Sequence, residues 1–318
     1  MSVIIGKIVS IFLITGVGYV ANKVKVLPDE SNKYLVDLMM KITCPCMVIT
    51  AIMSTELTSD TLSKTVQMLL LAAGFFILST LIGWIFCVKI LGIKPENDAG
   101  IYIACMATVN NGFMGFPITL ALFGNDVLFL MVLFQTMLVI YLYSVGVVLV
   151  NYGREKLDST GSYSILKSLA NPCTICAVVS IVLLLLRVEL PEVLYNSLDS
   201  LGSATVPISM LVVGIQLGGS SFKKVLTNKN LLITSFAKML VFPLLTFLAV
   251  NWTPLATDLK IALTFGAAFP TAVVMVAIAS MEKRNSTLAA EMVAFTTLIS
   301  IITLPAAAIL LMTYYGMI

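Results

Sequence analysis

Thr108-Val109-Asn110-Asn111-Gly112-Phe113-Met114-Gly115-Phe116-Pro117-Ile118-Thr119 interrupts an apolar segment with two adjacent amides, two glycines and a proline. Pro117 has no backbone N–H to give, and Gly112 and Gly115 weaken helix on both sides of Met114. A bilayer does not tolerate unsatisfied backbone facing lipid, so a break of this kind lines a cavity or is buried in protein. A weaker echo, Phe265-Gly266-Ala267-Ala268-Phe269-Pro270-Thr271, lies in the other half of the chain.

The surroundings are those of a membrane protein. The 318 residues are 59% hydrophobic and 11% charged, against roughly 25% charged in a soluble domain. The net charge of +3 is too small, and the basic residues too scattered, to point to nucleic acid. There is no histidine, which removes the commonest general base, proton shuttle and metal ligand together. Cys44, Cys46, Cys87, Cys105, Cys173 and Cys176 all fall in apolar segments and read as small buried hydrophobes rather than as a metal set. The N-terminal apolar run is expected to be a retained span, because Val20-Ala21-Asn22 makes a poor cleavage site.

Windows of about twenty apolar residues divide the chain into ten expected spans, near 3–21, 32–53, 65–88, 99–123, 127–150, 165–187, 195–218, 231–250, 259–280 and 287–314. The odd-numbered connections carry Lys23, Lys25, Lys33, Lys89, Lys94, Arg154, Lys156, Lys167, Lys223, Lys224, Lys229, Lys283 and Arg284. The other side carries only Lys7, Lys64, Arg187 and Lys260. This bias predicts cytoplasmic odd-numbered loops and both termini outside, in a multi-pass protein of the cytoplasmic membrane.

Five spans per half prompts a search for a repeat. Val26-Leu27-Pro28 is followed by Thr43-Cys44-Pro45, and Glu189-Leu190-Pro191 by Thr205-Val206-Pro207, at nearly equal distance. Phe116-Pro117 and Phe269-Pro270 then occupy the fourth span of each half. An odd number of spans per repeat makes the second half enter from the opposite side, the inverted construction common in secondary transporters. The expectation is therefore an all-α integral membrane protein, a 5+5 inverted repeat over residues 1–150 and 165–318 joined by a short cytoplasmic loop at 151–164.

Breaks in spans four and nine would leave half-helix ends at mid-membrane. A half-helix N-terminus presents free N–H groups and partial positive charge, suited to a carboxylate. Pro117 and Pro270 are expected as first residues of the second half-helices, where the missing N–H costs nothing. Asn110, Asn111, Thr119 and Thr271 add polar groups beside those junctions, while Gly112, Gly115 and Gly266 permit close backbone approach. Lys238 is the deepest ionisable residue, nine positions past Lys229. It attracts an anion, neutralises helix carbonyl ends, or snorkels to the surface. Asp37 and Lys41 read as a local ion pair, and Glu291 as a cap on the last span. Gln135 and Gln216 either bond between helices or line a path. The glycines at 16, 18, 214, 218 and 219 read as tight helix contacts.

The Asn-Asn-Gly-Phe-Met-Gly-Phe-Pro stretch, with Asn171-Pro172, Phe269-Pro270-Thr271, Thr296-Thr297-Leu298-Ile299-Ser300 and Thr303-Leu304-Pro305, resembles the auxin efflux carrier family over essentially the whole chain. That family includes plant PIN carriers and bacterial carriers described as malate or malonate permeases. The resemblance implies a ten-span fold like that of bile acid/sodium symporters and sodium/proton antiporters, with crossing broken helices in spans four and nine. It also implies a scaffold of spans one, two, six and seven, often dimeric, beside a moving transport domain. Asn110, Asn111, Pro117 and Pro270 carry over as crossover residues, with Thr43, Pro45 and Thr50 facing the site from the scaffold. Unlike many plant relatives, this chain has only a short central loop, at Asn151–Ser164. The fifth span has no acid and the ninth-span break none either, so neither an antiporter aspartate pair nor sodium coupling of the bile acid type is indicated.

The function expected is alternating-access transport of a small organic anion, a mono- or dicarboxylate or an auxin-like weak acid, with no cofactor and with sodium or proton coupling left open. A non-transporting ligand sensor or structural protein on the same scaffold is the alternative. An enzyme is not expected, since the usual catalytic constellations cannot be assembled from these residues.

Overall fold

A computed structural model describes residues 2–56, 58–153, 172–219 and 226–317. These residues form helices joined by turns, and no strand occurs among them. The expected 151–164 loop and the start of the sixth span, including Arg154, Lys156, Lys167 and Asn171, lie almost wholly outside the described residues, as do Lys223 and Lys224.

α1 spans Ser2–Lys23. Asn22 closes the turn after it, its Nδ2 donating to the Leu27 carbonyl at 3.1 Å and to Asp29 Oδ1 at 2.9 Å. α2 (Asp29–Leu38) runs through a π-helical turn, Met39–Thr43, into α3 (Cys44–Met53). The widened turn ends two residues before Pro45, and the same arrangement recurs at Asn111–Gly115 before Pro117. Proline lacks the N–H that continues the α ladder and crowds the carbonyl four residues back, so the chain relieves the clash by widening the preceding turn.

α4 (Ser59–Trp84) starts at Thr58, whose Oγ1 accepts the Thr61 N–H, and ends in a π turn at Ile85–Ile90. α5 (Ala99–Ala107) stops at the first break, beyond which α6 (Phe116–Tyr141) follows the π turn. Gly124 within α6 has φ +80° and ψ −170°, so the helical path is interrupted there, at a glycine because the left-handed region penalises a Cβ. α7 is the short Val147–Val150. α8 (Pro172–Leu185), α9 (Glu192–Ser203) and α10 (Thr205–Gly219) follow. α11 (Lys229–Asn251) is capped by Asn228 Oδ1 and α14 (Ser286–Tyr314) by Asn285 Oδ1. Between them lie α12 (Thr257–Ala267) and α13 (Val274–Met281), separated by the second break.

Two packing groups emerge. α1 lies along α10, and α3 packs on α8 and α9. The α1/α10 approach needs glycine: a Cβ on Gly18 would sit 2.5 Å from the Leu211 carbonyl oxygen, and one on Gly214 2.6 Å from the Tyr19 nitrogen. Gly16, by contrast, faces open space. In the second group α4 packs on α5 and α6, α11 on α12 and α14, and α13 on α14. Lys64 bridges Asp60 and Asp258 at 2.8 Å each, joining the starts of α4 and α12. The groups meet where α3 and α10 contact α6 and where α10 contacts α14.

The exterior is apolar, with Leu13, Leu70, Ile77, Leu78 and Ile302 exposed, whereas Thr108, Asn110, Asn111, Thr119, Thr271, Thr296 and Ser300 are buried. This inside-out distribution is that of a protein whose solvent is lipid. Among the described residues six segments are long and apolar enough to cross a membrane: Asp29–Met53, Ser59–Ile90, Ala99–Val150, Glu192–Gly219, Lys229–Asn251 and Ser286–Tyr314. Val9–Lys23, within α1, and Pro172–Leu185 are shorter apolar stretches. The first and sixth expected spans are described only in part, and two further differences from the ten expected have physical reasons. Ala99–Val150 holds two expected spans in one run, and the ninth is divided into α12 and α13, each too short alone.

Candidate functional site

The two helix breaks lie against each other. Thr108 is extended (φ −100°, ψ 153°) and Asn110 is non-helical (φ −90°, ψ 63°), so the chain leaves α5 and re-enters helix at Asn111. The Asn110 N–H, freed from any helix ladder, donates to the Pro270 carbonyl at 2.7 Å. The Asn110 carbonyl accepts from Met114 N at 3.3 Å and Gly115 N at 3.1 Å, which starts the next helical segment.

The last turn of α5 has four carbonyls without intrahelical N–H partners, and most of their replacements come from outside the helix. Thr108 returns its own N–H and Oγ1 to the Ala104 carbonyl, at 3.2 and 2.8 Å. Thr271 Oγ1 donates to the Cys105 carbonyl at 2.9 Å, while its N–H donates to Thr296 Oγ1 at 3.1 Å. Lys238 Nζ donates to the Met106 carbonyl at 3.2 Å and to the Thr108 carbonyl at 2.5 Å. Lys238 is 1% exposed, so it does not snorkel to the surface, and its Nζ lies against the carbonyl end of α5.

Asn111 differs from its neighbours. It is fully buried, and neither its Oδ1 nor its Nδ2 has a hydrogen-bond partner. Gly115 makes room for it, since a Cβ there would lie 2.7 Å from Asn111 Oδ1. The hydroxyl of Thr119 and the Oε1 of Gln135 are likewise buried without partners. A small void of about 20 Å³ adjoins this stretch, lined by Gly112 and Phe116, Gln135 and Thr136, and Met40, Cys44 and Val48. A space of that size holds about one water, so the break is closed on this side. A larger cavity of about 290 Å³ reaches Val273 and Val276 beyond the second break, between Thr297 of α14 and Asp29, Asn32 and Gln216 of the other group.

Two expectations about the backbone need correction. Pro117 does lie in the first turn of α6, but helical backbone resumes at Asn111, a turn earlier, because the π turn joins directly. Pro270 is not the first residue of a half-helix: α13 begins at Val274, and Pro270 lies in the non-helical link before it, offering its carbonyl to Asn110. The approach from α3 also differs in phase. Thr43 is buried with an unpartnered Oγ1, and Pro45 is buried in the first turn of α3. Thr50 Oγ1 donates to its own helix at Cys46 and Met47. Met40, Cys44 and Val48, one helical turn apart in series, are the side chains of this segment that face Gly112. Four-residue spacing from Met40 was the signal available for them.

Elsewhere Asp37 and Lys41 pair at 3.0 Å. Cys44, Cys46, Cys87, Cys105, Cys173 and Cys176 are free thiols, and among the described residues no group of three or more metal-ligating side chains forms.

Apolar helices around a buried polar seam at two paired helix breaks define a multi-pass membrane protein of the transporter class. The family model described as "Membrane transport protein" matches residues 3–307, and the chain belongs to this family, that of the auxin efflux carriers. It is 28% identical to an uncharacterised transporter of Methanocaldococcus jannaschii over 226 residues, 67% of this chain and 68% of the relative. It is 20% identical over 300 residues to an uncharacterised transporter of Methanothermobacter thermautotrophicus, covering 94% of this chain and 95% of the relative.

Proposed function

We propose that this protein is a secondary transporter that carries a small organic anion, a mono- or dicarboxylate such as malate or malonate or an auxin-like weak acid, across the cytoplasmic membrane by alternating access. The observation that carries the proposal is Asn111: a fully buried amide, unpartnered at both ends, beside the Asn110–Pro270 hydrogen bond that joins the two breaks. A buried polar group left unpaired costs about 1–3 kcal/mol, a cost that a ligand offsets when it supplies the missing partners. The N–H groups of Asn111 and Gly112 at the head of the helix, with its positive dipole end, suit a carboxylate.

The ten-crossing inverted repeat is supported by length. Ala99–Val150 at about 1.5 Å per residue is more than twice the thickness of a bilayer core of about 30 Å. The interruption at Gly124 therefore divides two crossings, and α12 with α13 supplies a third broken one. In this reading α1, α2, α3, α8, α9 and α10 form the scaffold and the remaining helices the moving unit. The 290 Å³ cavity, between Asp29 and Gly219 on the scaffold and Val273 on the moving unit, is the path from the cytoplasm. The loop charges support the orientation, with both termini outside.

Purified protein in liposomes is expected to take up labelled carboxylate, and Asn110→Ala with Asn111→Ala to abolish uptake while the melting temperature is held. Normal uptake by that double variant removes the site assignment.

A further inference from the structure

We propose that Lys238 is a tethered cation: its ammonium stands at the end of α5 where a free monovalent cation would otherwise be needed to hold the helix breaks together. The geometry is specific. Nζ contacts two backbone carbonyls, Met106 and Thr108, on either side of the point where α5 unwinds. That helix end carries partial negative charge from its unpaired carbonyls. Unwound carbonyls and half-helix C-termini are the groups that coordinate sodium in broken-helix transporters. Among the described residues the ion pairs are Asp37–Lys41, Asp60–Lys64 and Asp258–Lys64, so no carboxylate neutralises Lys238. Lys238 is fully buried, and the hydrogen-bond partners of its Nζ are the Met106 and Thr108 backbone carbonyls.

The second break depends on the same helix end. Thr271 holds Cys105, Lys238 holds Met106 and Thr108, and Asn110 holds Pro270, so the cation and the two breaks form one hydrogen-bonded cluster. A lysine on α11 fixes the cation covalently. Transport then proceeds without an inorganic cation gradient, because the charge that would bind and leave cannot leave. The link to transport rests on the carrier reading above, whereas the tether itself rests on the helix breaks alone.

The test is vacancy and rescue. Lys238→Ala leaves the carbonyls of Met106 and Thr108 facing a hole the length of a lysine side chain, and Lys238→Met fills that hole without charge. Melting of the purified proteins is measured in choline chloride, with sodium chloride or ethylammonium chloride added at constant ionic strength. Lys238→Ala is expected to melt below wild type and to show a saturable upward shift with ethylammonium or sodium, while wild type and Lys238→Met show none. Equal shifts in Lys238→Ala and Lys238→Met, or no shift in either, overturn the proposal. Should Lys238→Ala not fold, Lys238→Gln decides: it retains a hydrogen-bond donor without the charge, so melting like wild type overturns the tether, and a loss of melting temperature supports it. In liposomes, wild-type uptake is expected to be the same with and without a sodium gradient, and that of Lys238→Ala to depend on added cation. Absence of uptake by wild type would count against the carrier reading while the melting comparison still decides the tether.

Discussion

Thr271→Val probes the join between the breaks with a single hydroxyl. The valine has nearly the same shape, so no large cavity opens, but the bond from Oγ1 to the Cys105 carbonyl is lost in a fully buried place. A hydrogen bond between membrane helices is worth about 0.6 kcal/mol on average and about 1.7 at most. Leaving a buried carbonyl without a partner costs about 1–3 kcal/mol. Cys105 lies in the last turn of α5, with no helix beyond it to supply an N–H, so the stranded carbonyl decides the outcome. The expected loss is about 1–2 kcal/mol, which lowers the melting temperature by about 2–5 °C. Thr271→Ser keeps the hydroxyl and is expected to melt close to wild type. The measurement is thermal unfolding of the two variants in detergent, side by side. If Thr271→Val melts with wild type, or if Thr271→Ser falls as far as valine, the bond to Cys105 does not hold the breaks together.

Gly115→Ala places a Cβ 2.7 Å from Asn111 Oδ1 and is expected to displace that amide, lowering carboxylate uptake severalfold while protein yield and melting stay near wild type. Orientation is open to labelling in intact cells. A membrane-impermeant maleimide is expected to modify Glu189→Cys but not Lys283→Cys, both exposed positions, with wild type as the blank; the reverse pattern would invert the topology.

The helix breaks were legible because proline and paired glycines contradict an otherwise apolar helix wherever they occur. Lys238 was legible as a deep charge for the same reason. What it touches was not, since Met106 and Thr108 are more than 100 residues away in sequence and no local pattern encodes that meeting. Pro270 was misplaced because proline fits both the first turn of a helix and a non-helical link. Its carbonyl partner, Asn110 N–H, settles the matter only once the fold brings them together. On α3 and the π turn before it, Thr43, Pro45 and Thr50 drew notice as polar or helix-breaking residues. Helical phase places the apolar Met40, Cys44 and Val48 toward Gly112, and chemistry alone does not report phase. The π turns at Met39–Thr43 and Asn111–Gly115 escaped sequence reading although their cause, a proline two residues on, stood in plain view. Ala99–Val150 shows the opposite limit: composition separates the two expected spans only through Gly124 and its polar neighbours.

The most direct measurement is counterflow. Liposomes containing the purified protein and loaded with unlabelled malonate or malate should transiently accumulate the labelled compound from outside, and those carrying Asn111→Leu should not, at equal protein content and melting temperature. Accumulation by wild type alone is the predicted result. Counterflow undiminished in Asn111→Leu, or none with wild type across a panel of mono- and dicarboxylates and indole acids, would contradict an organic-anion site at the paired breaks.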